Sequence, residues 1–167
     1  GWHRYIHSEN PSYGEQFADF GSTTYDWGNM PSYLSAGSAT SQKTAIATLM
    51  RHAGVAVDMS YDPDGSGAMS TDVLYALTSY FKYDPSSIQI YGFNVANINE
   101  WITLAKNELD NGRPIYYDGS SAAAGGHAWV CDGYDASDKL HINWGWGGYY
   151  NGYFAANAMN PGSMEFD

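Results

Sequence analysis

The apolar period of the chain changes at Arg113-Pro114, and that change limits the folds open to it. Upstream, Ala45, Ile46, Leu49, Met50 and Ala53 recur at helical spacing and stop near Gly54, and Val73, Leu74, Leu77 and Phe81 do the same behind Ser70, a residue able to cap a helix. Asn97, with Glu100 three residues on, has the form of a capping box ahead of Ile98, Trp101, Ile102, Ala105 and Leu109. Downstream, Ile115 to Tyr117, His127 to Tyr134, Leu140 to Trp144 and Tyr153 to Ala155 read as strands between clusters of Gly, Asp and Ser. Three helices followed by antiparallel strands make an α+β arrangement. Residues 1–40 are punctuated by Pro11, Gly14, Gly21, Gly28, Pro31 and Gly37. They are expected to pack as loop, with Tyr25-Asp26-Trp27 as their anchor to a core.

At 167 residues the expectation is one domain spanning 1–167 with a core of its own. Seven Lys and Arg against eighteen Asp and Glu give a formal charge of -11, which repels nucleic acid and anionic lipid. Neither nucleic acid nor membrane is expected as a partner, and no apolar run approaches the length of a bilayer span. The chain begins at Gly1 without a signal-peptide pattern, as a processed or excised piece would. One cysteine precludes a disulfide framework. Abundant Tyr, Trp, Gly, Asn and Ser with little Lys point to a secreted or cell-surface bacterial setting.

Two of the expected strands carry chemistry. Gly125-Gly126-His127-Ala128-Trp129-Val130 is followed, sixteen residues after the histidine, by Asn143-Trp144-Gly145-Trp146-Gly147-Gly148. In papain-type cysteine peptidases an imidazole takes the proton of a thiol, and an amide on the next strand holds the ring in the useful tautomer. His127 and Asn143 could form that pair or an ordinary buried hydrogen-bonded one; the catalytic reading expects both side chains on one sheet face. The glycines before His127 leave room to approach the ring. Trp144 could cover the pair and exclude water, and Trp146 beside glycines could form a ledge for an extended peptide.

The nucleophile is missing from this picture. Cys131 is the only cysteine, and it lies four residues past His127 on the same expected strand, about 13 Å away at about 3.3 Å per residue. A proton transfer needs about 3 Å. Cys131 therefore reads as a small buried residue in an apolar run. Asp62-Pro63-Asp64-Gly65-Ser66-Gly67 superficially resembles a calcium loop, but Ser66, Gly67 and Val73 stand where an EF-hand needs a further ligand, glycine and glutamate. A solvated turn is the better reading, and no metal or cofactor is expected.

GGHAWVCDGYD and LHINWGWGGYYNGYF, together with GVAVDMSYDPDGSGA and PIYYDG, resemble the streptopain family of papain-fold bacterial cysteine peptidases over roughly residues 24–160. The resemblance implies a papain-like fold, incomplete at its N-terminal end, with His127 as catalytic histidine, Asn143 as orienting residue and Trp144 as shield. It also implies that Tyr117 to Gly126, including Asp118, Gly119, Ser120, Gly125 and Gly126, form a mobile loop bordering the substrate groove, and that Ser70 and Thr71 line a substrate pocket. Asp118 stands where the family has a glutamine near the oxyanion hole, and a carboxylate accepts rather than donates. The implied activity is endoproteolysis of peptide or protein substrates. The cysteine would come from a missing segment or companion chain, leaving this chain inactive alone as a zymogen-derived fragment. The alternative is a catalytically inactive papain-fold module that binds peptides or carbohydrates.

Overall fold

A computed structural model of the chain describes residues 1–166, with Val95 described by its backbone alone. The fold divides into two compact units, Gly1–Gln89 and the remainder from Ile90.

The first unit opens with an antiparallel pair, β1 (Trp2–Tyr5) and β2 (Gln16–Asp19), in which Trp2 faces Asp19 and Tyr5 faces Gln16. Regular structure there departs from the expected loop. The strands hide in the sequence because Trp2 and Phe17 point outward, 60% and 45% exposed, so no alternation of apolar and polar marks them. Two helices follow, α1 (Thr40–Ala56) and α2 (Ser70–Ser79). Gln42 Oε1 accepts the Ala39 N–H at 3.0 Å ahead of α1, and Met69 rather than Ser70 occupies the cap position of α2. Ala18, Phe20, Val55, Ala56 and Ala76 form the core, with Tyr5, Val57, Tyr80 and Phe81 packed against it. Tyr25 is the aromatic that reaches this core, stacking on Phe81, whereas Trp27 stays 65% exposed.

The segment between the helices is tied down by its own bonds. Tyr5 Oη donates to Met59 O at 2.7 Å, and Ser60 and Gly67 exchange backbone hydrogen bonds of 2.8 and 3.1 Å. Within that closed turn the Asp64 N–H donates to Asp62 Oδ1 at 2.9 Å, so one of the two carboxylates serves the turn itself.

In the second unit, α3 (Ile98–Asp110) leads into a four-stranded antiparallel sheet ordered β3 (Ile115–Ser121), β4 (Gly125–Tyr134), β5 (Leu140–Asn143) and β6 (Gly152–Phe154). Asn97 makes no side-chain capping bond; Asn94 Oδ1 instead accepts from the Ala96 N–H at 3.0 Å, one turn earlier. Past the helix Gly112 takes φ +71°, and the Arg113 N–H returns to Glu108 O at 3.0 Å, a left-handed stop of the kind that suits glycine. Trp129 and Cys131 of β4, Leu140 and Ile142 of β5, and Trp144 form the core under Ala105 of α3, with Trp101, Ile102 and Leu109 packed against it.

Two features of this sheet depart from expectation. The stretch from Tyr117 to Gly126 is a paired hairpin, with Ser121 opposite Gly125 and Gly119 opposite His127, instead of a loop. A bulge also interrupts β4 against β5: Gly133 pairs with His141 but Cys131 pairs with Ile142, leaving Asp132 as the extra residue. Asp132 Oδ1 lies 2.5 Å from His141 Nδ1, which secures the irregularity from the side-chain level.

Candidate active site

The face of β4 that carries His127 also carries Trp129 and Cys131, because side chains alternate along a strand. The rung directly across from His127 is Gly119, so β3 places no side chain beside the ring. Gly125 takes φ +75°, and neither it nor Gly126 has an atom within 4 Å of where a Cβ would stand. The imidazole is thus half-buried at the open end of an otherwise packed strand.

One hydrogen bond fixes the tautomer of its neutral ring. His127 Nε2 lies 2.8 Å from the backbone carbonyl oxygen of Trp144. A carbonyl only accepts, so Nε2 carries the hydrogen, and in the neutral ring Nδ1 is left as the basic nitrogen. The ring is packed among aromatic faces: Trp146 is closest at 4.6 Å between centroids and 26° between planes, with Phe166 at 5.8 Å, Trp129 at 6.1 Å and Trp144 at 6.3 Å. All four meet it nearer to parallel than to perpendicular.

The expected partner of His127 is thereby corrected. Asn143 lies on the adjacent antiparallel strand, but it pairs with Val130, on the face of β4 turned away from His127, and its Oδ1 accepts the Gly145 N–H at 3.0 Å. The bulge at Asp132 causes this. Without the extra residue Asn143 would oppose Cys131 and share the face of His127; one residue of slip inverts the face and seats Ile142 in the core instead. The orienting acceptor is a main-chain oxygen of the next residue. The indole of Trp144 is fully buried in the core, and Trp146 is the nearer cover for the imidazole.

Sequence reasoning also missed what holds that carbonyl. Trp144 donates its N–H to Asn151 Oδ1 at 3.1 Å, so Asn143 and Asn151 both clamp the turn in which Gly145, Gly147 and Gly148 take positive φ. Asn151 in a Tyr-Asn-Gly run signals only a turn, so nothing in the sequence pointed to this work.

Asp118 and Ser120 are exposed and alternate away from the His127 face, while Gly119 shares it. Ser70 and Thr71 open α2 in the first unit. Cys131 is fully buried, its Sγ 3.7 Å from Gly133 O, and burial pushes its thiol up to about 11. A thiol so desolvated has little thiolate at neutral pH, in keeping with a structural residue. Among the described residues, no three His, Cys, Asp or Glu side chains gather where a metal ion could be held.

The chain matches active wild-type interpain A cysteine protease of Prevotella intermedia with a TM-score of 0.82 and 36% identity, covering 99% of this chain and 70% of that one. A prointerpain A fragment of the same organism gives 0.80, also at 36% identity, with 99% and 54% covered. The fold is therefore the α+β fold of papain-like cysteine proteases. Among curated sequences, streptopain of Streptococcus pyogenes is 36% identical over 162 residues, 95% of this chain and 40% of that protein. The thiol protease/hemagglutinin PrtT of Porphyromonas gingivalis is 40% identical over 141 residues, 84% of this chain and 16% of that protein. The chain thus spans less than half the length of these curated relatives. The Peptidase C10 family model matches residues 1–154, and the chain belongs to that family.

Proposed function

We propose that this chain supplies the histidine part of a cysteine endopeptidase site, with the nucleophilic cysteine provided from outside residues 1–167. The observation that carries the proposal is the 2.8 Å contact from His127 Nε2 to Trp144 O. In the neutral ring it assigns the hydrogen to Nε2 and the lone pair to Nδ1, the tautomer a general base at Nδ1 requires. Nδ1 takes the proton of the incoming thiol, and the thiolate sulfur bonds to the peptide carbonyl carbon. The imidazolium returns the proton to the leaving amine as the C–N bond breaks. In the second half Nδ1 takes a proton from water as its oxygen bonds to the thioester carbon; the C–S bond then breaks, the peptide leaves as its carboxylic acid, and the imidazolium returns the proton to the departing thiolate. The rung at Gly119 and the glycines at 125 and 126 leave space for an extended substrate beside the ring.

Within residues 1–167 the only thiol is Cys131, buried four residues along the same strand, so the chain alone is inactive in this reading. No helix among the described residues is long and apolar enough to cross a membrane, and a secreted or cell-surface bacterial setting accords with the composition. The test compares casein hydrolysis by the 167-residue chain and by the complete gene product, each with and without iodoacetamide. Hydrolysis by the complete product alone, lost on alkylation, is expected. Thiol-dependent hydrolysis by the isolated chain would overturn the split of the site, and a folded complete product that binds peptides without cleaving any would favour the binding module.

A further inference from the structure

Residues 155–166 lie beyond the Peptidase C10 match, yet they reach the imidazole. Met159 and Phe166 form an antiparallel bridge, with the Phe166 N–H donating to Met159 O at 3.2 Å, and both side chains are buried at 5% exposure. Pro161 between them is fully buried, and the Met164 N–H closes on Pro161 O at 3.2 Å. This closed loop touches the aromatic array at two points. At one end the Phe166 ring sits 5.8 Å from His127, 5.4 Å from Trp129 and 5.5 Å from Trp144. In the middle, Gly162 at φ +66° presses on Tyr150: a Cβ there would lie 2.9 Å from Tyr150 Oη. Tyr150 in turn meets the edge of Trp146 at 6.4 Å and 80°, and Trp146 stacks on His127.

A single hydrogen bond at Nε2 locates one atom of the imidazole and leaves the ring free to rock about that contact. Packed ring faces remove that freedom, because tilting the imidazole forfeits many small dispersion contacts at once. We infer that the Met159–Phe166 loop is a brace for His127, with Phe166 and Gly162 as positioning residues that hold the ring edge in line for proton transfer. The inference rests on His127 being the base of the proposed peptidase. It adds a second support to the Trp144 carbonyl, since misplacing a reacting group by about 1 Å can cost on the order of 100-fold in rate.

The experiment uses the complete, cysteine-bearing protein carrying Phe166→Leu, Phe166→Tyr, Gly162→Ala or His127→Ala, with kcat and KM on a peptide substrate and NMR of the histidine ring protons. Phe166→Leu is expected to lower kcat about tenfold with KM within about twofold, and to shift the His127 ring protons as an aromatic ring current is lost. Phe166→Tyr keeps a ring and restores both. Gly162→Ala, which displaces Tyr150, lowers kcat at unchanged KM and keeps the test open if the leucine variant fails to fold. Wild-type kcat in Phe166→Leu or Gly162→Ala, a loss shared equally by Phe166→Tyr, or unmoved His127 resonances would overturn the brace. An active His127→Ala variant would instead remove the site itself, whereas an inactive one beside a fully active Phe166→Leu removes the brace alone.

Discussion

Each unit of the molecule holds a histidine among aromatic rings, and the two are held in opposite ways. In the first unit His52 is 9% exposed; Phe20 and Tyr25 meet it edge-on at 63° and 77°, and Tyr25 Oη lies 3.0 Å from its Nδ1. Desolvation, helped by the charge of Arg51, holds its imidazole below its ordinary range. In the second unit His127 is half-buried, its neighbours meet it face-on, and its bonded nitrogen is Nε2 against a main-chain oxygen. Two tilted rings enclose His52, and the Tyr25 hydroxyl engages its Nδ1. Near-parallel rings, Trp146 the nearest, pack on His127, and its Nδ1 makes no hydrogen bond among the described residues. Enclosure makes His52 a core residue, whereas stacking holds His127 in place with Nδ1 unbonded, as its proposed role of base requires.

The largest expected effect comes from exchanging the two roles. In the complete protein His127→Ala should abolish acylation, a loss of roughly 10⁴-fold or more in kcat, as for other members of catalytic units. His52→Phe should leave kcat per folded molecule close to wild type. Turnover with casein, corrected for folded fraction, checks both, and a folded but inactive His52→Phe would break the contrast. Next comes the support of the Trp144 carbonyl. Asn151→Ala frees the Trp144 N–H and should cost roughly 10- to 100-fold in kcat. Asn143→Ala, which releases only the exposed Gly145 N–H, should cost less. The reverse order would mean that the asparagine on β5 still orients the histidine in solution.

Legibility in the sequence follows the same physics. The three helices could be read because each carries an apolar stripe with a break behind it, and β4 because Trp129 and Cys131 alternate into the core. The outward-facing Trp2 and Phe17 concealed β1 and β2. His127 was legible as a residue, but its partner was not. Register depends on the one unpaired residue at Asp132, which no short-range pattern announces, and a main-chain acceptor leaves no trace in side-chain identity. Phe166 was invisible for another reason: its contact with His127 spans 39 positions of the sequence (166 − 127) and depends on a closed loop after β6.

A smaller effect distinguishes how the two units use glycine. In the second unit Gly125 and Gly126 border open space, so a methyl group at Gly126 should leave stability nearly unchanged. In the first, a Cβ at Gly54 would collide with the Tyr61 phenol, 3.1 Å from its Cζ, next in the helix to the core residues Val55 and Ala56. Gly54→Ala should therefore destabilise by about 1–3 kcal/mol despite its better helix propensity, because the loop bearing Tyr61 must move. Urea melts of the two alanine variants measure the contrast. Equal midpoints would show that the Tyr61 contact yields without cost.

The smallest expected effect is a pH dependence belonging to His52. Because burial holds its folded-state imidazole below the ordinary value of 6.5, the unfolded chain binds the proton at a higher pH than the folded one. Stability therefore rises with pH through this window: the contribution is fully present above about 6.5 and is lost as pH falls toward the lower folded value. Asp19, Asp84 and Glu108 act in the same direction but further down, since each is held below its ordinary carboxylate range by hydrogen bonds or, for Glu108, by the Arg113 guanidinium. Between about pH 7.5 and 5 those carboxylates stay largely ionised in both states, so His52 is left to set its own part of the slope. His52→Phe should flatten Tm against pH over that interval, and whatever stability it loses by leaving the Tyr25 hydroxyl unpaired should be the same at every pH within it. A variant whose melting curve stays parallel to wild type would show that His52 takes up its proton in the folded state as readily as in the unfolded one, and the sealed histidine would then differ from the stacked one in geometry alone.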